Sequence, residues 1–257
     1  MKIVDLSTTI RNSPPGTPAH QATGIEYSGH AAGAAAIEQL FGVPKELLRD
    51  GEGWAVERFT SFGTHNSTHL DAPWHYNSRI AGEPAATIDQ LPLEWFFAPG
   101  VVLDLRHLVR DEGRQGDPAT PEHLEAALDA AGHQLRERDI VLVRTGCDRY
   151  IDQPDYLTRG CGVTAAGTRW LWERGVRVMG IDAWGWDEPL DRQARRALEL
   201  RQQGVFWQAH QADLPYSQIE RLVGLDRLPP RGFTVACFPL KIERGSGAPA
   251  RVVAILE

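Results

Sequence analysis

The sequence is short of lysine, of cysteine and of long apolar runs, and each shortage removes a class of protein. Only Lys2, Lys45 and Lys241 are lysines, and arginine does not make up the difference. Together 27 Lys and Arg face 34 Asp and Glu, a formal net charge of −7. Without a basic excess to neutralise phosphates, nucleic acid is not an expected partner. Cys147, Cys161 and Cys237 are odd in number, widely spaced and lack a CxxC pair. That excludes a disulfide framework and a cysteine-rich zinc site as expectations, and leaves a reducing cytoplasm as the default compartment. No apolar run approaches the roughly twenty residues of a membrane span, so no membrane partner is expected. The opening Met-Lys-Ile-Val-Asp-Leu-Ser has no apolar stretch of the secretory kind.

What is present is 257 residues with 42% hydrophobic content, enough for a substantial core. No internal repeat, low-complexity tract or clear linker divides them, so a single domain over 1–257 is expected. Residues 2–6 read as a strand, and Ser13-Pro14-Pro15-Gly16-Thr17-Pro18 as an irregular loop. From Gly24 to Glu57 the chain reads as a helical insertion, with pieces at 31–41 and 44–49 separated by Gly42; a lid or a dimer contact would suit it. Val101–Leu105, Ile140–Arg144, 176–182, 233–240 and 251–256 read as strands. Thr120 and Pro121 open a helix that Gly132 closes, with Leu124, Ala127, Leu128 and Ala131 on one face. Further helices are expected at 164–174 and 191–203. Strand, helix, strand from 140 to 182 outlines a crossover unit with parallel pairing. The class is mixed α/β: a mixed central sheet with outer helices.

The chemistry concentrates in His65-Asn-Ser-Thr-His69-Leu-Asp71-Ala-Pro73-Trp74-His75-Tyr76. His65, His69, Asp71 and His75 share odd parity, so an extended backbone would project all four to one side. A helix would turn Asp71 about 200° away from His69, and Pro73 favours extended geometry at Ala72. The whole stretch is therefore expected to be extended. Two imidazoles and a carboxylate suit a divalent zinc or manganese ion with room left for water or substrate. His75, farther along the same face, suits a fourth ligand or a general base. Asp182 ends its strand where α/β sheets place polar site groups. His210 and Glu220 do not stand out by spacing.

The motif resembles the His-x-Gly-Thr-His-x-Asp-x-Pro-x-His signature of the metal-dependent cyclase family, which includes kynurenine formamidases, isatin hydrolases and enzymes described as polyketide cyclases. Ser67 stands where that family usually has Gly. The resemblance implies that His65, His69 and Asp71 bind metal and that His75 donates and accepts a proton. It also brings in the late His210, and Glu220 through Glu220-Arg221-Leu222-Val223-Gly224-Leu225, similar to the family's Glu-Asn-Leu-x-Asn-Leu. Those two would hold a second ion in binuclear members, or serve proton transfer in mononuclear ones. Asp182 and Trp74 are expected around the substrate or behind the ligands. The resemblance further implies the swivelling β/β/α fold of kynurenine formamidase, one or two zinc or manganese ions per subunit, and a homodimer or homotetramer. A Trp in the early Pro-rich loop, usual in formamidases, is absent here; the first Trp is Trp54.

Three functions fit. The leading one is a metal-dependent hydrolase of an amide, cyclic amide or ester in a small aromatic molecule, with tryptophans such as Trp74, Trp184 and Trp186 as stacking walls. The second is an aldol-type cyclase acting on a polyketide-like substrate. The third is a non-catalytic metal- or ligand-binding module. Incorporation of ¹⁸O from water separates the first from the second, and a closed coordination sphere would mark the third.

Overall fold

The structure, a computed structural model, describes residues 1–14, 17 and 19–256, so Pro15, Gly16 and Pro18 of the proline-rich loop lie outside the described residues. The chain divides into two compact units, Met1–Thr8 with Ser67–Glu257, and Thr9–Asn66.

The larger unit is built on one nine-stranded sheet. Its strands are β1 (Lys2–Asp5), β2 (His69–Asp71), β3 (Phe97–Asp104), β4 (Ile140–Arg144), β5 (Val178–Ile181), β6 (Ser217–Glu220), β7 (Arg231–Ala236), β8 (Gly247–Pro249) and β9 (Val253–Leu256). Their order across the sheet is β1-β9-β7-β3-β4-β5-β6-β2-β8. The four strands β3, β4, β5 and β6 run parallel, and every other pairing is antiparallel. Both faces of the parallel block are covered. Val141 and Val143 join Val101, Leu103, Met179 and Ile181 on one side; Ile140 and Leu142 join Val102 and Val178 on the other. That is why β4 reads as an unbroken apolar run rather than an alternating one.

The expected crossover is present: β4 pairs with β5 in parallel, and a helix, Ala165–Glu173, lies between them in the chain. Thr164 caps it by accepting from Gly167 N–H at 2.9 Å. The Pro121–Ala131 helix begins at Thr120 and ends on left-handed Gly132, as its signals predict. His123 accepts from Thr120 N–H through Nδ1 at 3.2 Å and closes the cap.

The smaller unit corrects the reading of 24–57 as a helical segment. Two strands, Gly24–Ser28 and Val56–Ser61, pair antiparallel and bracket one helix, His30–Phe41. Lys45–Leu47 and Arg49–Gly51 form only short 3₁₀ turns. Gly33 and Gly53 allow the helix to lie against the returning chain: a Cβ on Gly33 would sit 1.9 Å from the Trp54 carbonyl oxygen.

Candidate metal centre

Register places the donors of the larger unit. Strand β2 lies between β6 and β8, and its antiparallel pairing with β6 sets His69 directly opposite Glu220 and Asp71 opposite Gln218. His69 and Asp71, two residues apart, share a face. Only this part of the motif is regular strand. His65 lies in a turn at the end of the smaller unit, and Pro73–Tyr76 forms one turn of α-helix. The expectation of an extended run through His75 is therefore wrong at both ends. Pro73 takes the first helical position, where its missing N–H costs nothing, and Ala72 before it stays extended (φ −97°, ψ 158°). The helical turn still brings His75 back: its Nε2 is 3.9 Å from Asp71 Oδ2.

Ser67 has φ +57°, the left-handed conformation that glycine adopts without penalty, which accounts for Gly in the motif. The bend turns the Ser67 carbonyl toward His69, whose Nδ1–H donates to it at 3.0 Å. Nε2 of His69 is then the nitrogen that faces the carboxylates. It lies 3.3 Å from Asp71 Oδ1 and 3.7 Å from Glu220 Oε2.

His210 arrives from a loop. Its Nδ1–H donates to Asp187 Oδ2 at 2.5 Å, and Nε2 stands 3.6 Å from both Asp71 Oδ2 and Glu220 Oε1. Asp187 also accepts from the backbone N–H groups of Ala209 and His210, at 2.9 and 3.0 Å. One buried carboxylate thus fixes both the loop and the imidazole tautomer. No local signal marks Asp187 in the sequence; its partners lie more than twenty positions away. Asp182, the aspartate singled out by position, accepts instead from Thr145 N–H, Thr145 Oγ1 and Gly146 N–H, fixing the turn after β4.

His69, Asp71, His210 and Glu220 are all buried, while the His75 side chain keeps 27% exposure. Burial raises the Glu220 carboxyl above its ordinary range, and the neighbouring Asp71 charge raises it further. Burial works against a charged His210, yet Asp187 and Asp71 together carry its pKa up to about 10. Two carboxylates sharing a dry site demand positive charge. A divalent cation fits that demand by geometry as well. Donors bonded at about 2.0–2.2 Å in a tetrahedral shell stand about 3.3–3.6 Å apart, and ligand atoms of His69, Asp71 and Glu220 all lie within 4.8 Å of one another.

Aromatic rings enclose His210. Trp207 stacks on it with centroids 4.4 Å apart and planes 20° from parallel, and meets His75 edge-on at 5.1 Å. Tyr76 meets the His210 ring edge-on at 5.3 Å. Trp207 has φ +62°, rare for a bulky side chain and costing about 1–3 kcal/mol. Of the tryptophans expected as walls, Trp186 is fully buried core, Trp74 is 44% exposed on its helical turn, and Trp184 carries the Arg221 guanidinium over its ring.

Residues 4–188 match the Cyclase family. A kynurenine formamidase of Salinibacter ruber is 31% identical over 192 residues, 74% of this chain and 75% of that protein. An isatin hydrolase of Roseibium aggregatum is 25% identical over 76% of this chain and 72% of its own length. Among solved structures, isatin hydrolase A from Ralstonia solanacearum superposes with a TM-score of 0.75 at 27% identity, covering 100% of this chain and 92% of that one. The mixed sheet and the motif on β2 agree with that match, and the chain belongs to the Cyclase family.

Proposed function

We propose that this protein is a metal-dependent hydrolase that opens an amide, cyclic amide or ester bond, above all a C–N bond, in a small aromatic molecule. The observation that carries the reading is the register of β2 against β6, which gathers His69, Asp71 and Glu220 in one buried cluster. The kynurenine formamidase and isatin hydrolase relatives support the reaction type. The donors His69 and Asp71, with His65 supplied by the motif and His210 and Glu220 by the late segment, would hold one or two zinc or manganese ions. When bound, such an ion polarises a carbonyl and makes water acidic near neutral pH.

His75 is the general base in this reading. It is the group of the cluster with solvent access, and Asp71 is near enough to steady its protonated form. It takes the proton of the attacking water and returns it to the leaving nitrogen or oxygen. Asp187 keeps His210 in the tautomer that directs Nε2 at the carboxylates. The three cysteines are free and buried, in keeping with a cytoplasmic protein, and a homodimer or homotetramer completes the proposal.

Elemental analysis of the purified protein, with hydrolysis of formanilide and isatin followed with and without chelator, tests the reading. Metal-dependent turnover that incorporates ¹⁸O from water into the product is expected; full activity after demetallation, or cyclisation without water uptake, would remove it. His75→Ala should keep the metal and lose about 10²–10⁴-fold in kcat. A near wild-type rate would strip His75 of its role.

A further inference from the structure

Within the larger unit, the donors and the tyrosines behind them are buried, while His75 and Trp207 keep partial exposure. Whatever approaches the cluster past His75 therefore meets the indole of Trp207, 5.1 Å away. That indole sits on a held stretch of main chain and stacks on His210. Its left-handed backbone is pinned by Gln193, whose Oε1 accepts from Trp207 N–H at 2.7 Å. Gln193 is the one buried residue of the helix Leu190–Leu200, and its Nε2 donates to the Glu188 carbonyl at 2.5 Å. The neighbouring Arg192 guanidinium ties the same helix to backbone carbonyls of Arg114, Gly116 and Gly160. A strained aromatic residue held by a buried amide, beside a reactive imidazole, is a fixed surface rather than a gate.

We propose that Trp207 is a specificity-determining residue, a rigid platform that selects substrates with a planar aromatic group next to the reacting carbonyl, and that Gln193 is its positioning residue. This rests on the hydrolase reading for the word substrate; the platform itself is a binding property. An indole favours an aromatic ring over a saturated ring of similar size because the stacked or edge-on arrangement adds to simple burial.

The test is a ligand-observed NMR titration of the full-length, zinc-loaded protein with benzamide and with cyclohexanecarboxamide. Wild type should bind benzamide about fivefold more tightly, the order of one aromatic contact. Trp207→Gly, which accepts the left-handed backbone without strain, should bring the ratio close to one. Trp207→Phe should keep most of the preference, and Gln193→Leu should reduce it while zinc content stays unchanged. A wild type without preference, or a Trp207→Gly protein with the preference intact, overturns the proposal. So does loss of zinc from Trp207→Gly, which would make the indole a support for His210 alone. Formanilide turnover in the same samples reports separately on the hydrolase reading. No turnover with the preference intact removes that reading and leaves the platform standing.

Discussion

Asp187 and Ser67 each hold an imidazole of the candidate metal centre without belonging to its proposed donors. Asp187→Asn keeps an oxygen for the loop backbone but removes the charge behind His210. Metal affinity should fall about 10–100-fold with the fold retained, as read by chelator competition alongside circular dichroism. Ser67 occupies a left-handed position, and its hydroxyl is buried with no hydrogen-bond partner among the described residues. Ser67→Gly should therefore stabilise the protein by about 0.5–1 kcal/mol in urea unfolding, since relief of strain and of the buried hydroxyl outweighs the added chain entropy. A loss of stability would mean that the hydroxyl is satisfied by bound water. The parity of His69 and Asp71 was legible in the sequence because a strand alternates locally. The position of His75 was not, since Pro73 can either break a helix or open one and the choice is made by what packs around it.

At the scale of elements, Arg192 ties the helix Leu190–Leu200 to three other stretches of backbone. The guanidinium donates to Arg114 O at 2.6 Å, Gly160 O at 3.1 Å and Gly116 O at 3.3 Å, a span that a single ammonium cannot cover. Arg192→Ala should cost about 2–3 kcal/mol in urea unfolding, and Arg192→Lys should recover little of it. Sequence patterning found this helix, the Pro121–Ala131 helix with its cap and stop, and the apolar strands β4 and β5, because those signals are contained in a few consecutive residues. The strands Gly24–Ser28 and Val56–Ser61 escaped it: their residues are largely exposed, so no apolar alternation marks them. Glu220 looked ordinary for a related reason. What brings it into the candidate centre is its partner on β2, and pairing between distant strands leaves no mark in local spacing.

For the molecule as a whole, Asp182 is one buried group that ties stability to pH. Burial raises its carboxyl to about 7, against the pull of its hydrogen bonds from Thr145 and Gly146. The unfolded value is about 3.9, so the folded state holds the extra proton between the two. The contribution is complete below pH about 4 and is lost as pH rises through about 7. Wild type should therefore lead Asp182→Asn by more at pH 4.5 than at pH 8, by on the order of a few kcal/mol in urea unfolding. An equal gap at both values would show that the carboxylate stays ionised throughout. The placement of β2 beside β6 has another outcome, one of timing. Its two halves leave the ribosome far apart, so a nascent chain that has delivered His69 and Asp71 still lacks Glu220. On the proposed reading ion capture becomes a clock for assembly: the cluster closes only after the long-range strands meet, and uptake during refolding should mark one of the last events.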